Sequence, residues 1–408
     1  MTKLRPDTLA MTATLAMLTA LGPLATDFYL PSVPDIARVF GTAPAGAQAT
    51  LSAFLFGFAA GQVLYGPLSD RLGRKPVLLA GLALFILATM ACAAATSIDM
   101  LVGARFVQAL GASGPIVLGR AMVRDLYEGP RAGQELARMG MIMGVVPAIA
   151  PVLGGVLQEA FGWRSTFIAS LLFASALGVW VILMLPETLR RKLDEPLSLI
   201  AIVKGFGSLL ASRPYRAYVG LVSLAYGGLF AFISGSSFVL MGVYGLSPVQ
   251  FGFSFALGVM GFITGTVVAQ KLVLKRGLDG VIRLGVMCLA GGGVIMLALT
   301  LVGTGSSLEI TLPMAIYAAG VGLTMPQGQA AAMMPFPERA GTASSFLGIC
   351  QMTFSAFVGL LIGRVLTGSV LPGSVLPGSA LPMPLVITAI GIAALVLFMA
   401  TRRIRAGT

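Results

Sequence analysis

The sequence predicts an all-α membrane protein in which twelve transmembrane helices form two pseudo-symmetric six-helix bundles. Three observations predict it: an apolar composition, long hydrophobic stretches separated by short polar breaks, and a faint repetition of the first half in the second.

Of the 408 residues, 57% are hydrophobic and only 10% are charged, and the mean hydropathy is +0.94, whereas soluble globular chains carry about 25% charged residues. Such a chain cannot cover its surface with polar groups. Each apolar stretch approaches the roughly 20 residues that a helix needs to cross about 30 Å of hydrocarbon. The first half gives spans at 9–33, 49–65, 76–96, 99–121, 138–158 and 165–185, and the second at 217–241, 249–273, 282–303, 310–334, 342–363 and 383–401. The first follows Lys3 and Arg5 but lacks a small-residue cleavage site before a soluble domain, so it reads as a retained span.

Charge sets the expected topology. With an inside N-terminus, all 27 Lys and Arg residues except Arg38, Arg105, Arg164 and Arg364 fall on one side, in the tails, the even-to-odd loops and the adjoining helix ends. By the positive-inside rule that side is cytoplasmic and holds both termini. The net charge of +12 is therefore mostly a topological signal, with attraction to anionic headgroups as a by-product. Its scatter in short clusters such as Arg190, Arg191 and Lys192 argues against nucleic acid as a partner.

The chain contains no histidine, which excludes histidine-based triads, imidazole metal sites and a histidine proton relay. Its three cysteines, Cys92, Cys288 and Cys350, stand singly in apolar spans and suggest neither a disulfide framework nor a zinc site. No Walker-type phosphate loop is present. Without a partner chain, work must therefore come from a gradient; no metal or cofactor is expected beyond it.

A polar, basic stretch from Pro186 to Arg216 divides the chain, giving an N-terminal bundle at 1–189, a cytoplasmic linker at 190–214 and a C-terminal bundle at 215–408. The halves match at an offset of 208: Arg131-Ala132-Gly133 with Arg339-Ala340-Gly341, Gly57 with Gly265, Gln62 with Gln270, Gly140 with Gly348, and Gly155 with Gly363. Duplicated halves place a binding cavity at their interface and permit alternating access by rocking. Residues 368–382 read GSVLP-GSVLP-GSALP, a flexible loop to which no function is assigned.

The strongest motif is Gly66-Pro-Leu-Ser-Asp-Arg-Leu-Gly-Arg-Lys-Pro76, placed by hydropathy in the loop after the second span. Its glycines allow a tight turn, and Asp70 can pair with a basic group or a helix N-terminus. This segment resembles the signature of the major facilitator superfamily, G-x-L-x-D-R-x-G-R-K/R, with Gly66, Leu68, Asp70, Arg71, Gly73, Arg74 and Lys75 at the fixed positions. The resemblance implies the major facilitator fold and a role for Gly66, Asp70, Arg71, Gly73 and Arg74 as a conformational gate.

Two further segments extend it. Leu101–Gly114 is similar to the family's fourth-helix motif, whose intramembrane arginine takes part in proton coupling; here it is Arg105. Gly144–Gly155 resembles the fifth-helix motif of antiporters, with Gly144, Pro147, Pro151, Gly154 and Gly155 present and Ala150 in place of a glycine. Together with Thr26–Ala37, Phe161–Phe167 and Pro186-Glu187-Thr188, these resemble the bicyclomycin and chloramphenicol resistance branch. The resemblance is close over the N-terminal half and holds in outline over the rest. It implies an antiporter that exports small amphipathic drugs in exchange for protons. A metabolite importer or facilitator on the same fold stays open as an alternative; the span interiors offer no cluster that points to an enzyme.

Asp27 is the one acidic residue placed clearly inside a span. A charged aspartate at mid-membrane costs roughly 2.5 to 3.5 kcal/mol, which makes it a functional-site hypothesis by default. Burial favours a neutral carboxyl, while a nearby cation or entering water favours the anion, so a conformational change can load and unload a proton. Pro31 and Pro34 follow it, and the alternative is a carboxylate that caps a helix end facing water; Ile36, Val39 and Phe40 argue that the helix continues. Arg105 keeps its charge and needs a carboxylate, carbonyls or water; whether Asp27 is its partner stays open. Candidate cavity residues are Thr26, Phe54, Met143, Pro147, Tyr226, Phe230, Met325 and Gln327, since apolar walls, aromatic rings and thioethers suit amphipathic cargo. The expected protein is a monomer in a bacterial inner membrane, with small molecules and protons as partners.

Overall fold

In a computed structural model the described residues are 4–6, 8–127, 129–189, 206–336, 339–366 and 379–405, and they contain helices and connecting turns but no strand. The elements are α1 (Leu9–Asp27), a short 3-10 turn (Leu30–Ser32), α2 (Val33–Val39), α3 (Pro44–Leu72), α4 (Arg74–Ala93), α5 (Ile98–Leu126), α6 (Gly129–Phe161), α7 (Arg164–Met184), α8 (206–211), α9 (Arg213–Ser237), α10 (Pro248–Val302), α11 (Leu308–Met333), α12 (Ala340–Leu366), α13 (Pro382–Ala400) and α14 (Arg402–Arg405). Helix starts carry the expected chemistry. Thr8, Ser97 and Ser212 accept from backbone N–H groups of α1, α5 and α9, and Ser247 forms a capping box with Gln250 on α10.

Eleven helical segments are long and apolar enough to cross a membrane. One of them, α10, holds 55 residues and contains Gly277 at φ 67 and ψ 175, a conformation open to glycine alone, which splits it into two crossings and makes twelve. The first half turns the same way: α3 passes into α4 through the single residue Gly73, at φ 110. The signature segment is thus mostly not a loop. Gly66–Leu72 stay helical and only Gly73 breaks the chain, because Ser69 and Asp70 find a partner in Arg74 and Arg71 reaches water from the helix end without a longer turn. The predicted spans were otherwise too short at several ends: α6 begins at Gly129, not 138, and the first span runs on through α2 to Val39. Most of the expected linker, 190–205, and most of the GSVLP repeat, 367–378, lie outside the described residues.

Outward faces are apolar, as at Leu172, Leu301 and Phe253, which fits contact with lipid tails. Inside, small residues let helices approach closely. A Cβ on Gly57 or Gly61 would strike α5 at the Phe106 carbonyl or Ser113, and one on Gly261 or Gly265 would strike α11 at the carbonyl oxygens of Ala315 or Ala319. The second span thus packs on the fourth as the eighth packs on the tenth.

The basic end of the bundle holds Gly73, Gly277 and α14; the far end holds Pro44, Phe161 and Pro248. One apolar core joins Tyr29, Val33, Leu51, Trp163 and Phe167, all toward the far end, to the second half of the chain. Toward the basic end the first half packs chiefly on itself through Met11, Leu15, Leu78, Phe85 and Met122. The closest approaches between the halves lie at the far end and extend inward along α3 and α12 as far as Gln62 beside Gly348.

Candidate functional site

The site begins with a break in the first span. Pro31 has no N–H to give the carbonyl of Asp27, and its ring disfavours a continuous helix. The chain therefore leaves α1 at Asp27, makes a short 3-10 turn and resumes as α2. At the break the Tyr29 N–H bonds the Thr26 carbonyl at 3.2 Å instead of reaching back to Ala25, which frees the Ala25 oxygen. Broken backbone at membrane depth persists only where protein or a wet cavity satisfies it.

Arg105 on α5 supplies that satisfaction. Its Nη1 donates to the Ala25 carbonyl at 3.1 Å and to Oε1 of Gln108, one turn along α5, at 2.7 Å. Gln108 in turn donates to the Thr89 hydroxyl on α4 at 2.8 Å, and Thr89 donates to the Phe85 carbonyl. The guanidinium is 0% exposed and lies 4.3 Å from the ring centre of Phe54 and 4.6 Å from that of Tyr29, with Phe167 beyond. Cation–π attraction of this kind strengthens on desolvation. The Tyr29 hydroxyl is anchored on Thr50 at 2.7 Å. Arg105 Nε and Nη2 are buried and have no hydrogen-bond partner among the described residues. Gln108, Thr89, Tyr29 and Phe167 were not among the expected site residues; a polar residue three positions after an intramembrane arginine is the signal that points to Gln108.

Asp27 is 6% exposed, so it does not cap a helix end in open water. Among the described residues its carboxylate makes no hydrogen bond or ion pair, and Arg105 does not bond it. Tyr226 of α9, in the other half of the chain, lies within electrostatic reach of it. The carboxylate thus stands at the contact between halves, on a break that Arg105 holds.

The signature residues form a separate cluster at the basic end. Arg74 is buried and shared, with Nη1 2.5 Å from Asp70, Nε 2.8 Å from Asp125 and Nη1 2.6 Å from the Ser69 hydroxyl. Thr188 also donates to Asp125. Glu187 accepts the backbone N–H groups of Arg74 and Lys75 at 3.0 and 3.1 Å and so caps the start of α4 from the end of α7. Its Oε2 would lie 2.8 Å from a Cβ on Gly73. Gly66 has open space beside it, and Arg71 is exposed.

The antiporter-type segment lies in α6, which carries Pro147 and Pro151 inside it. A Cβ on Gly154 would sit 2.4 Å from the Phe28 carbonyl oxygen, and one on Gly155 would sit 2.4 Å from that of Pro248 on α10. Gly252 meets Pro151 and Val152 in return. Glu159 accepts the Val249 N–H at 3.1 Å, and Gln48 donates to the Ser234 carbonyl at 3.1 Å. These contacts make the far-end seal. Gly144 faces open space.

The other cavity candidates divide. Thr26, Tyr226 and Met325 are half-buried and Gln327 is buried; Phe54 lies under Arg105. Phe230 is 1% exposed and packs against the position of Gly359. The side chain of Met143 lies outside the described residues. Glu135, which falls ahead of the predicted fifth span, is buried in α6 and accepts from Thr12 at 2.7 Å and Arg138 at 2.6 Å.

Comparison with known proteins agrees with this geometry. The Major Facilitator Superfamily pattern matches residues 15–360. A bicyclomycin resistance protein homolog of Haemophilus influenzae is 30% identical over 351 residues, covering 86% of this chain and 87% of the relative. A chloramphenicol resistance protein of Pseudomonas aeruginosa is 30% identical over 350 residues, covering 85% and 80%. Among solved structures, a POT family transporter in complex with 5-aminolevulinic acid superposes with a TM-score of 0.79 at 14% identity, covering 98% of this chain and 96% of that one. Twelve crossings in paired halves, a signature turning on Gly73, and relatives matched over most of their length place this chain in the major facilitator superfamily, in the branch of the bicyclomycin and chloramphenicol resistance transporters.

Proposed function

We propose that this chain is a proton-coupled antiporter that exports small amphipathic compounds, phenicol- or bicyclomycin-like drugs or related metabolites, across a bacterial inner membrane by alternating access. The observation that carries the reading is Asp27: a buried carboxylate without an ion partner among the described residues, set at a break in the first span and within electrostatic reach of Tyr226 in the other half of the chain. The resistance proteins among its relatives support the choice of cargo.

The basic end is taken as cytoplasmic, with both termini there. With the tightest contacts between the halves at the far end, this arrangement is taken as the one that loads cargo from the cytoplasm. Cargo entering between the halves competes with the proton on Asp27, either for the carboxylate itself or for the space beside it. Rocking of the halves breaks the far-end seal at Gly155, Gly252 and Glu159, releases cargo outward and lets Asp27 take a proton from that side. The return carries the proton in. At 100 mV each inward charge contributes roughly 2.3 kcal/mol, enough for about a forty-fold gradient of a neutral substrate. The reading needs no bound cofactor and no catalytic step, and a monomer suffices.

The test is expression in a pump-deficient host challenged with a panel of antibiotics. Wild type is expected to raise resistance to at least one phenicol or related compound and to lower its accumulation, and Asp27→Asn to lose both. Uptake that rises on expression would instead support a metabolite importer.

A further inference from the structure

Arg120 is a cation that nothing in the described structure neutralises. It lies on α5, six residues from the end of that helix, or about 9 Å inside the basic end at 1.5 Å per residue. Its side chain is exposed while Leu118, Gly119, Ala121, Met122 and Val123 around it are buried. Helical spacing fixes its direction. Gly119 packs on Thr19 and Leu15 of α1, and Phe106, Ala109 and Ser113 pack on Gly57 and Gly61 of α3. At about 100° per residue Arg120 falls about 60° around α5 from Arg105, between Ala109 and Ser113, on the side that meets α3 nearer the far end. α3 packs in turn on α12 of the second half, and Arg120 is reached by solvent while still closely surrounded, as a side chain in a cleft between helices is.

Among the described residues, the acids toward the basic end are already committed. Asp70 and Asp125 bond Arg74, Glu135 bonds Arg138 and Thr12, Asp279 bonds Arg405, and Glu187 caps α4. Among the described residues Arg120 has no hydrogen bond or ion pair, and the charge that acts on it is another cation, Arg124, one turn further toward the basic end. Two unneutralised guanidinium groups in a confined entrance raise the local concentration of anions and lower that of cations. A guanidinium fork also fits a carboxylate or sulfonate with two parallel hydrogen bonds.

We propose that Arg120 is a specificity-determining residue, which binds the acidic group of an amphipathic substrate at the cytoplasmic entrance and disfavours permanently cationic compounds. This rests on the export reading only for the direction of travel; the binding itself needs no gradient.

The experiment is equilibrium binding to the full-length protein in nanodiscs of zwitterionic lipid, read by pyrene fluorescence anisotropy with empty nanodiscs subtracted. The probes are pyrenebutyrate, its neutral carboxamide and the matching trimethylammonium compound. Wild type is expected to bind the carboxylate about tenfold tighter than the carboxamide, the size of one charge-assisted hydrogen-bonded contact, with the cation weakest and the preference shrinking as salt is added. Arg120→Gln should bring the carboxylate-to-carboxamide ratio close to one, Arg120→Lys should keep part of it, and Arg120→Glu should favour the cation. A wild-type ratio near one overturns the proposal without any variant, as does an unchanged ratio in Arg120→Gln. Loss of proton coupling would leave these ratios intact, so the two readings fail separately.

Discussion

The guanidinium of Arg105 is bonded to the carbonyl oxygen of Ala25, 3.1 Å away, and not to the carboxylate of Asp27 two residues on. The charge in the fourth span therefore reaches the ionisable group of the first through backbone. It holds the shape of the break on which Asp27 stands and leaves the carboxylate free to change its protonation. Arg105→Lys keeps the charge but loses the planar fork and its reach, which weakens the bonds to Ala25 and Gln108. The expected result is a stability loss of about 1–3 kcal/mol, seen as a lower melting midpoint in detergent, together with loss of resistance. Arg105→Lys with full resistance would mean that the bonds to Ala25 and Gln108 are dispensable.

Pro31 produces the carbonyl that Arg105 takes. Pro31→Ala restores an N–H to bond the Asp27 carbonyl and removes the ring clash, so the first span is expected to straighten. The melting midpoint should hold or rise while drug-dependent proton movement falls. Unchanged coupling with a straightened helix would detach the break from the mechanism.

The sequence makes the membrane architecture plain because hydropathy is a local property: each span is a run of apolar residues, and the split at Gly277 lies in the polar Lys275–Asp279 stretch. The signature segment was misplaced as a loop for the same reason, since hydropathy treats Ser69, Asp70 and Arg74 as solvent-facing while the fold gives Arg74 to Asp70, Asp125 and Ser69. Asp27 and Arg105 stand out as charges in apolar runs. Their relationship does not, because the partner of Arg105 is a backbone oxygen that exists as a free acceptor only after Pro31 has broken the helix. Phe230 reads like Tyr226 in sequence, yet one is packed under Gly359 and the other faces Asp27. That difference is set by helix rotation in the assembled bundle.

At the far end, Gly155 approaches Pro248 too closely for any side chain. Gly155→Val is expected to hold the far end apart, because a Cβ there meets backbone and not a movable side chain. A cysteine introduced at Thr26 should then react faster with a membrane-impermeant maleimide added outside cells, and resistance should be lost. Slow labelling equal to that of the parent would show that the seal closes without Gly155.

Glu187 caps α4 from the end of α7. Glu187→Ala leaves two backbone donors without an acceptor and removes a negative charge from a helix start, a loss of about 0.5–2 kcal/mol by analogy with capping residues. Glu187→Gln, which keeps an acceptor oxygen, should retain about half of it. A melting midpoint equal to wild type in both variants would reduce the contact to an incidental one.

The most direct measurement places purified protein in liposomes loaded with a pH-sensitive dye and follows proton movement when a transported drug is added, for wild type and for Asp27→Asn. Wild type is expected to move protons against the drug and to drive drug uphill when a pH difference is imposed, while Asp27→Asn, which cannot lose a proton, does neither. Drug-driven proton movement of wild-type size in Asp27→Asn, or drug transport by wild type that ignores the pH difference, would contradict the central role given to this carboxylate.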